Sequence, residues 1–181
     1  VVLIGSLLSD KLEYYGINTF HNQINTAKAL RNNGWDYSNS YALSRKHIAT
    51  AVSRNTNIEY YIDIHRDSAR KASTTTIIHG EKYARLYFVV GQAHENYEEN
   101  LLFASKFHEK LEQKYPGLSK GVYVKTKSEG NGVYNQDISN KSLLIEIGGI
   151  DNNKRELSKT VDAFADVFKE VYEGVIEVNA Q

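Results

Sequence analysis

Leu143-Leu144-Ile145-Glu146-Ile147-Gly148-Gly149 places one carboxylate inside an aliphatic run that two glycines close. With Ser142 in front, the run is short, apolar and without alternation, the pattern of a central parallel strand buried on both faces. After it, Leu157, Val161, Phe164, Val167, Phe168 and Val171 recur at helical spacing between Lys154 and Val175 and predict a closing helix packed on the sheet. Far upstream, Tyr61-Ile62-Asp63-Ile64-His65-Arg66-Asp67 embeds ionisable residues in a second strand-like run, expected from Glu59 to His65. An ionised group among Ile and Leu costs several kcal/mol unless a partner, a hydrogen-bond network or a metal compensates, so both segments point towards a polar site.

The remaining elements follow from periodicity and stop signals. Val2, Leu3, Leu7, Leu8, Leu12 and Tyr15 predict an opening amphipathic helix that Gly16 stops, followed by a short strand over Ile17–His21. Gln23–Ser40, with the only Trp, reads as a loop or broken helix, and Tyr41–Arg54 as a second helix. Beyond the first strand, a polar stretch forms a hairpin with Thr74–His79, then Tyr83–Val90 is a strand. Asn96–Lys114 is a helix ended by Pro116-Gly117, Tyr123–Thr126 a strand, and Ser128–Asn135 a Gly/Asn-rich loop. Strands alternating with helices predict an α/β fold with a mostly parallel central sheet flanked by helices, in one domain over residues 1–181.

The 181 residues include 41% hydrophobic and 24% charged side chains, enough for a packed core. Twenty-two basic residues balance twenty-two acidic ones, so bulk charge points to neither nucleic acid nor an anionic membrane surface. The absence of Cys excludes disulfides and thiolate zinc sites and leaves the compartment open. No apolar run is long enough to span a bilayer, so any anchor is expected outside these residues, and the start at Val1 within an apolar pattern reads as a fragment.

His65 and Glu146 both fall at the carboxyl ends of strands, where open α/β sheets gather ligands. Alternation puts Asp63, His65 and Asp67 on one side and Ile62 and Ile64 on the other. A carboxylate beside a histidine suits a partner that fixes the imidazole tautomer of a metal ligand. On one reading His65 is a ligand of a catalytic zinc and Glu146 the general base and acid of an amide hydrolysis. On the other, His65 hydrogen-bonds a neighbouring loop and Glu146 pairs with a lysine or arginine. His21 is a weaker candidate at the same rim, as is His79, whereas His47, His94 and His108 read as solvent-facing. Arg45 and Arg66 either hold a substrate carboxylate bidentately or pair with neighbouring acids. The thirteen Tyr read as ordinary half-buried residues. Nucleotide-binding, serine-hydrolase and H-E-x-x-H motifs are absent.

Several segments in order resemble one family. They are Gly5-Ser6-Leu7-Leu8, Tyr15-Gly16-Ile17 with His21, Ser40-Tyr41 with Ser44-Arg45, Asp63-Ile64-His65-Arg66-Asp67, Phe88-Val89-Val90-Gly91, Asn100 with Phe103-Ala104, Pro116-Gly117-Leu118, Tyr134-Asn135-Gln136-Asp137 and Leu143–Gly149. Together they resemble the stage II sporulation protein P family over nearly the whole chain. The resemblance implies an amidase-like domain that is a zinc-dependent N-acetylmuramoyl-L-alanine amidase, a hydrolase of the bond joining muramic acid to the stem peptide, with endopeptidase action as well. It implies peptidoglycan remodelling during engulfment, outside the cytoplasm between mother-cell and forespore membranes, with an N-terminal membrane anchor and a lytic transglycosylase partner.

By the same resemblance His65 is the zinc-ligand histidine and Glu146 the catalytic glutamate. Asp63, Arg66, Asp67, Arg45, His21 and Asn135 then fall to substrate binding or to support of the ligands. Related amidases take a further His and Glu ligand from an earlier strand and loop, and Val1 is expected just after that region. The residues present are therefore expected to bind zinc weakly or not at all by themselves. A wall-binding or partner-binding module without turnover is the competing reading, and a metal-free hydrolase built on Asp63, Asp67 and Glu146 a more distant one.

Overall fold

The computed structural model describes the backbone of residues 1–179 and the side chains of residues 1–175. The elements run α1 (Val2–Tyr14), α2 (Thr26–Asn32), α3 (Ser40–Arg54), β1 (Tyr61–His65), a single turn α4 (Lys71–Thr74), β2 (Thr75–Ile78), β3 (Glu81–Ala84), β4 (Leu86–Gly91), α5 (Tyr97–Lys114), β5 (Ser119–Lys125), β6 (Ser142–Ile147) and α6 (Lys154–Asn179).

Four strands form the main sheet in the order β1-β6-β4-β5. The run that opened the sequence reading, β6, is central and five of its six residues are buried, as its unbroken apolar pattern requires. It pairs parallel with β1, and β4 pairs parallel with β5, so most pairings are parallel. The seam between the two pairs is antiparallel, with Leu86 opposite Ile147 and Val89 opposite Leu144.

Alternation sorts the two faces. Ile62, Ile64, Leu143, Ile145, Ile147, Leu86, Phe88 and Val90 join one core with α1, α5 and α6. Its centre is aromatic, with Phe107 stacked on Phe164 at 5.5 Å and edge-on to Phe103 at 5.1 Å. The helices α1 and α6 are joined at the rim of this layer by Asp166, whose carboxylate accepts hydrogen bonds from Tyr15 and, at 2.9 Å, from Tyr115. The opposite sheet face has a smaller cover of Tyr41 from α3 and Tyr134 from the loop before β6.

Three expectations change, and the loop-or-broken-helix alternative resolves as a broken helix. Ile17–His21 forms no strand and pairs with neither edge of the main sheet, β1 or β5. Within Gln23–Ser40, α2 forms with Asn25 capping Lys28 N at 2.9 Å, and a short 3-10 turn follows at Tyr37–Asn39. Tyr83–Val90 is two strands. Arg85 breaks them, and its backbone N–H donates to Thr74 O at 2.8 Å, so β3 leaves the main sheet to pair with β2. That hairpin turns at His79 and Gly80, both at positive φ, the geometry that matches strand twist. Lastly, β5 begins four residues before the expected Tyr123, because Glu112 accepts the N–H groups of Gly117 and Ser119 and starts the strand there.

Candidate functional site

The parallel register of β1 and β6 sets His65 directly opposite Glu146, and the antiparallel register of β6 and β4 sets Glu146 opposite Tyr87. Three reactive side chains thus share one row on the sheet face that the helical layer leaves uncovered. Two residues back along β1, Asp63 lies on the same face, and its Oδ2 is 3.2 Å from His65 Nε2. The imidazole is oriented by a carboxylate, and its Nδ1 is left for another partner. Burial opposes the charged form of His65, but the hydrogen bond to Asp63 and the charges of Asp63 and Glu146 outweigh it and raise the pKa above the usual histidine value.

Glu146 has no ion pair among the described residues, and its Oε2 is buried without a hydrogen-bond partner. The reading in which it pairs with a lysine or arginine is therefore not what the fold builds. Burial raises its pKa above the ordinary carboxylate range, and Asp67 and Asp63 push the same way against His65 and Lys125. A half-buried carboxylate with a raised pKa and one unpartnered oxygen is a candidate general base.

Asp67 closes the row. Its Oδ1 accepts from Ala69 N at 2.9 Å, and its Oδ2 lies 3.5 Å from Lys120 Nζ, which also sits 4.7 Å from the centre of the Tyr87 ring. On the other side, the Tyr41 ring lies nearly parallel to His65, 14° apart with centroids at 6.4 Å, and meets Tyr134 edge-on at 5.3 Å.

The other sequence candidates have structural duties. Arg45 grips Asp137 with two bonds of 2.8 Å, the pairing with an acid that was one of its two readings. Asn135 donates to Tyr41 O at 3.0 Å and Ser44 Oγ at 2.8 Å. Both therefore lash α3 to the loop before β6 and fix the ring over His65. Arg66 likewise turns to backbone, donating to Gly149 O and to Asn152 O at 3.2 Å, so it fastens the turn after β6. His21 packs against Gly5 of α1. His47 and His94, expected in solvent, have buried ring nitrogens without partners, and His108 shares a 2.8 Å hydrogen bond with Ser119.

Sequence reasoning missed Tyr41, Tyr87 and Gln136. The signal for Tyr87 was its place in a strand beside Phe88, facing the side opposite the aliphatic core. Gln136 is 2% exposed. It accepts from Gly91 N and donates to Val89 O, both at 2.8 Å, and so stitches the loop to β4. Beside it Tyr134 and Asn135 hold positive φ of 53° and 56°. Such backbone costs of order 1–3 kcal/mol per residue and persists where surrounding contacts fix it, commonly at functional sites.

The donor chemistry here suits zinc in kind, with an imidazole beside an unpartnered buried carboxylate oxygen. It falls short in number, since no three His, Asp or Glu side chains converge among the described residues. No described helix is long and apolar enough to cross a membrane.

The family model of stage II sporulation protein P (SpoIIP) matches residues 1–169. Stage II sporulation protein P of Bacillus subtilis (strain 168) is 46% identical over 180 residues, which is 99% of this chain and 45% of that protein, so the chain spans less than half the length of its relative. The chain therefore belongs to the stage II sporulation protein P family and is, by that membership, a sporulation protein.

Proposed function

We propose that this domain is the hydrolytic part of a peptidoglycan amidase that cuts the amide between N-acetylmuramic acid and the L-alanine of the stem peptide, with action on peptide cross-links as well. The observation that carries the reading is the pairing of His65 and Glu146, 81 residues apart in sequence and opposite each other in register, with one Glu146 oxygen buried and unpartnered. Structural carboxylates in such a position are paired or hydrogen-bonded, and leaving one free is costly unless the site uses it.

In this reading Glu146 takes a proton from the attacking water and returns it to the departing amide nitrogen. Asp63 holds His65 in orientation, and Asp67 keeps the site acidic and so keeps the Glu146 pKa raised. A zinc ion would be the cofactor, with His65 among its ligands, and when bound it would lower the pKa of a water towards neutrality. In the whole protein the site would act outside the cytoplasm during engulfment, between mother-cell and forespore membranes, beside a lytic transglycosylase and held by a membrane anchor elsewhere in the chain.

The shortfall of ligands among the described residues favours a second reading, a wall-binding module without turnover. Dye release from labelled sacculi by the parent protein separates the two. The amidase reading expects release with stoichiometric zinc, loss of release with chelator, and loss with Glu146→Gln at unchanged zinc content. Sacculus binding with no release, in a zinc-loaded protein, would establish the module instead.

A further inference from the structure

We propose that Tyr41 is a catalytic residue whose phenol donates a hydrogen bond to the carbonyl oxygen of the scissile amide. The inference deepens the amide-hydrolase reading above and rests on it.

Three observations converge on this side chain. Its ring lies nearly parallel to that of His65 and caps the same small cluster as Leu144, two residues before Glu146, and Val89, two residues after Tyr87. Tyr41 thus overhangs the row in which the reacting atoms would sit. Second, its backbone carbonyl accepts from Asn135 while its hydroxyl makes no hydrogen bond to the described residues. The phenol, the polar end of an otherwise apolar ring, is thus free to donate to a bound group. Third, the fold spends a whole motif on its placement. Asn135 and Ser44 hold the helix turn that bears it, Arg45 and Asp137 bind α3 to the loop, and Tyr134 seats its edge against the ring, on a backbone held at positive φ. None of these contacts reaches the helical core, so their common result is the position of Tyr41.

The step it serves is balanced within the site. A water oxygen bonds to the amide carbon, its proton passes to Glu146, and the carbonyl π pair moves onto oxygen. Tyr41 donates to that oxygen and keeps its own proton throughout. When the pair returns, the C–N bond breaks and Glu146 hands its proton to the departing nitrogen, leaving a carboxylic acid and an amine. Donors fixed before the reaction are effective here because they need no reorganisation as charge develops.

The test uses the parent protein, loaded with zinc, and a defined muramoyl-peptide substrate. Tyr41→Phe removes one hydroxyl and keeps the ring. It is expected to lower kcat by about 10²-fold with KM within twofold and an unchanged thermal midpoint. Asn135→Ala, which frees the turn but leaves the hydroxyl, is expected to lower kcat less. The proposal is overturned if Tyr41→Phe keeps wild-type kcat while Glu146→Gln is inactive, or if its whole loss lies in KM. If the wild-type parent itself releases no product, the hydrolase reading fails first and takes Tyr41's role with it, an outcome distinct from either of those.

Discussion

Gln136→Glu replaces an amide with a carboxylate of the same shape at one of the most buried polar positions in the molecule. The native side chain uses both ends, accepting from Gly91 N and donating to Val89 O at 2.8 Å each. A glutamate can still accept from Gly91, but its second oxygen then faces the Val89 carbonyl at hydrogen-bond distance, oxygen to oxygen. Protonated, that oxygen donates and restores the native pattern. Ionised, it is an uncompensated charge at a site 2% exposed. Burial alone is known to lift such carboxyls to about pH 8–9, and a more modest folded value near 7.5 is about 3 units above an unfolded glutamate, or about 4 kcal/mol.

The folded pKa is raised, so the native pattern is kept below the unfolded value near pH 4.3 and lost as pH climbs through the folded value. Urea unfolding of wild type and variant, followed by circular dichroism, is expected to give curves within about 1 kcal/mol of each other at pH 4 and separated by about 4 kcal/mol at pH 8. An equal penalty at both pH values, or none at pH 8, would refute the assignment of Gln136 as the stitch between loop and strand.

Two further variants probe the frame around the site. Gly91→Ala would drive a Cβ into the Gly132 carbonyl and to 2.8 Å from the Tyr134 ring, so overpacking is expected to destabilise by about 1–3 kcal/mol and to lower the thermal midpoint, and an unchanged midpoint would show that the loop yields. Asp166 is held below the usual carboxylate range: burial opposes the charge, but hydrogen bonds from Tyr15 and Tyr115 and the ammonium groups of Lys114 and Lys11 outweigh it. A depressed carboxyl contributes stability above its unfolded pKa, near 4, and loses it as pH falls through the lower folded value, so Asp166→Asn should flatten the acid limb of a stability-versus-pH curve. An acid limb of unchanged steepness would count against this.

What the sequence disclosed follows from where the information is local. Ser142–Ile147 is a strand to the residue because an unbroken aliphatic run between turns admits little else. His65 and Glu146 were visible because ionisable groups stand out against Ile and Leu. Their adjacency was not, since a parallel register is settled by partners 81 residues away. Tyr41 and Gln136 escaped for the same reason, their meaning lying in contacts across the fold and not in spacing along the chain, and while an acid partner for Arg45 was among its readings, spacing did not single out Asp137. The break at Arg85 was hidden because Tyr83–Val90 reads as one apolar stretch, while the bond from Arg85 to Thr74 comes from a segment that sequence pattern leaves irregular.

The position of β6 has a consequence for how the protein comes into being. Among the described strands it is the last in sequence, yet it lies in the middle of the sheet, between β1 and β4. Until it arrives, β1 has no neighbour to bond with, and β4–β5 is a two-stranded ribbon of marginal stability. A nascent chain on the ribosome, or one clipped before Ser142, therefore carries no half-built version of the His65–Glu146 pair. A site that rests on this pair therefore forms only once β6 is inserted, and it is lost whenever that strand is pulled out.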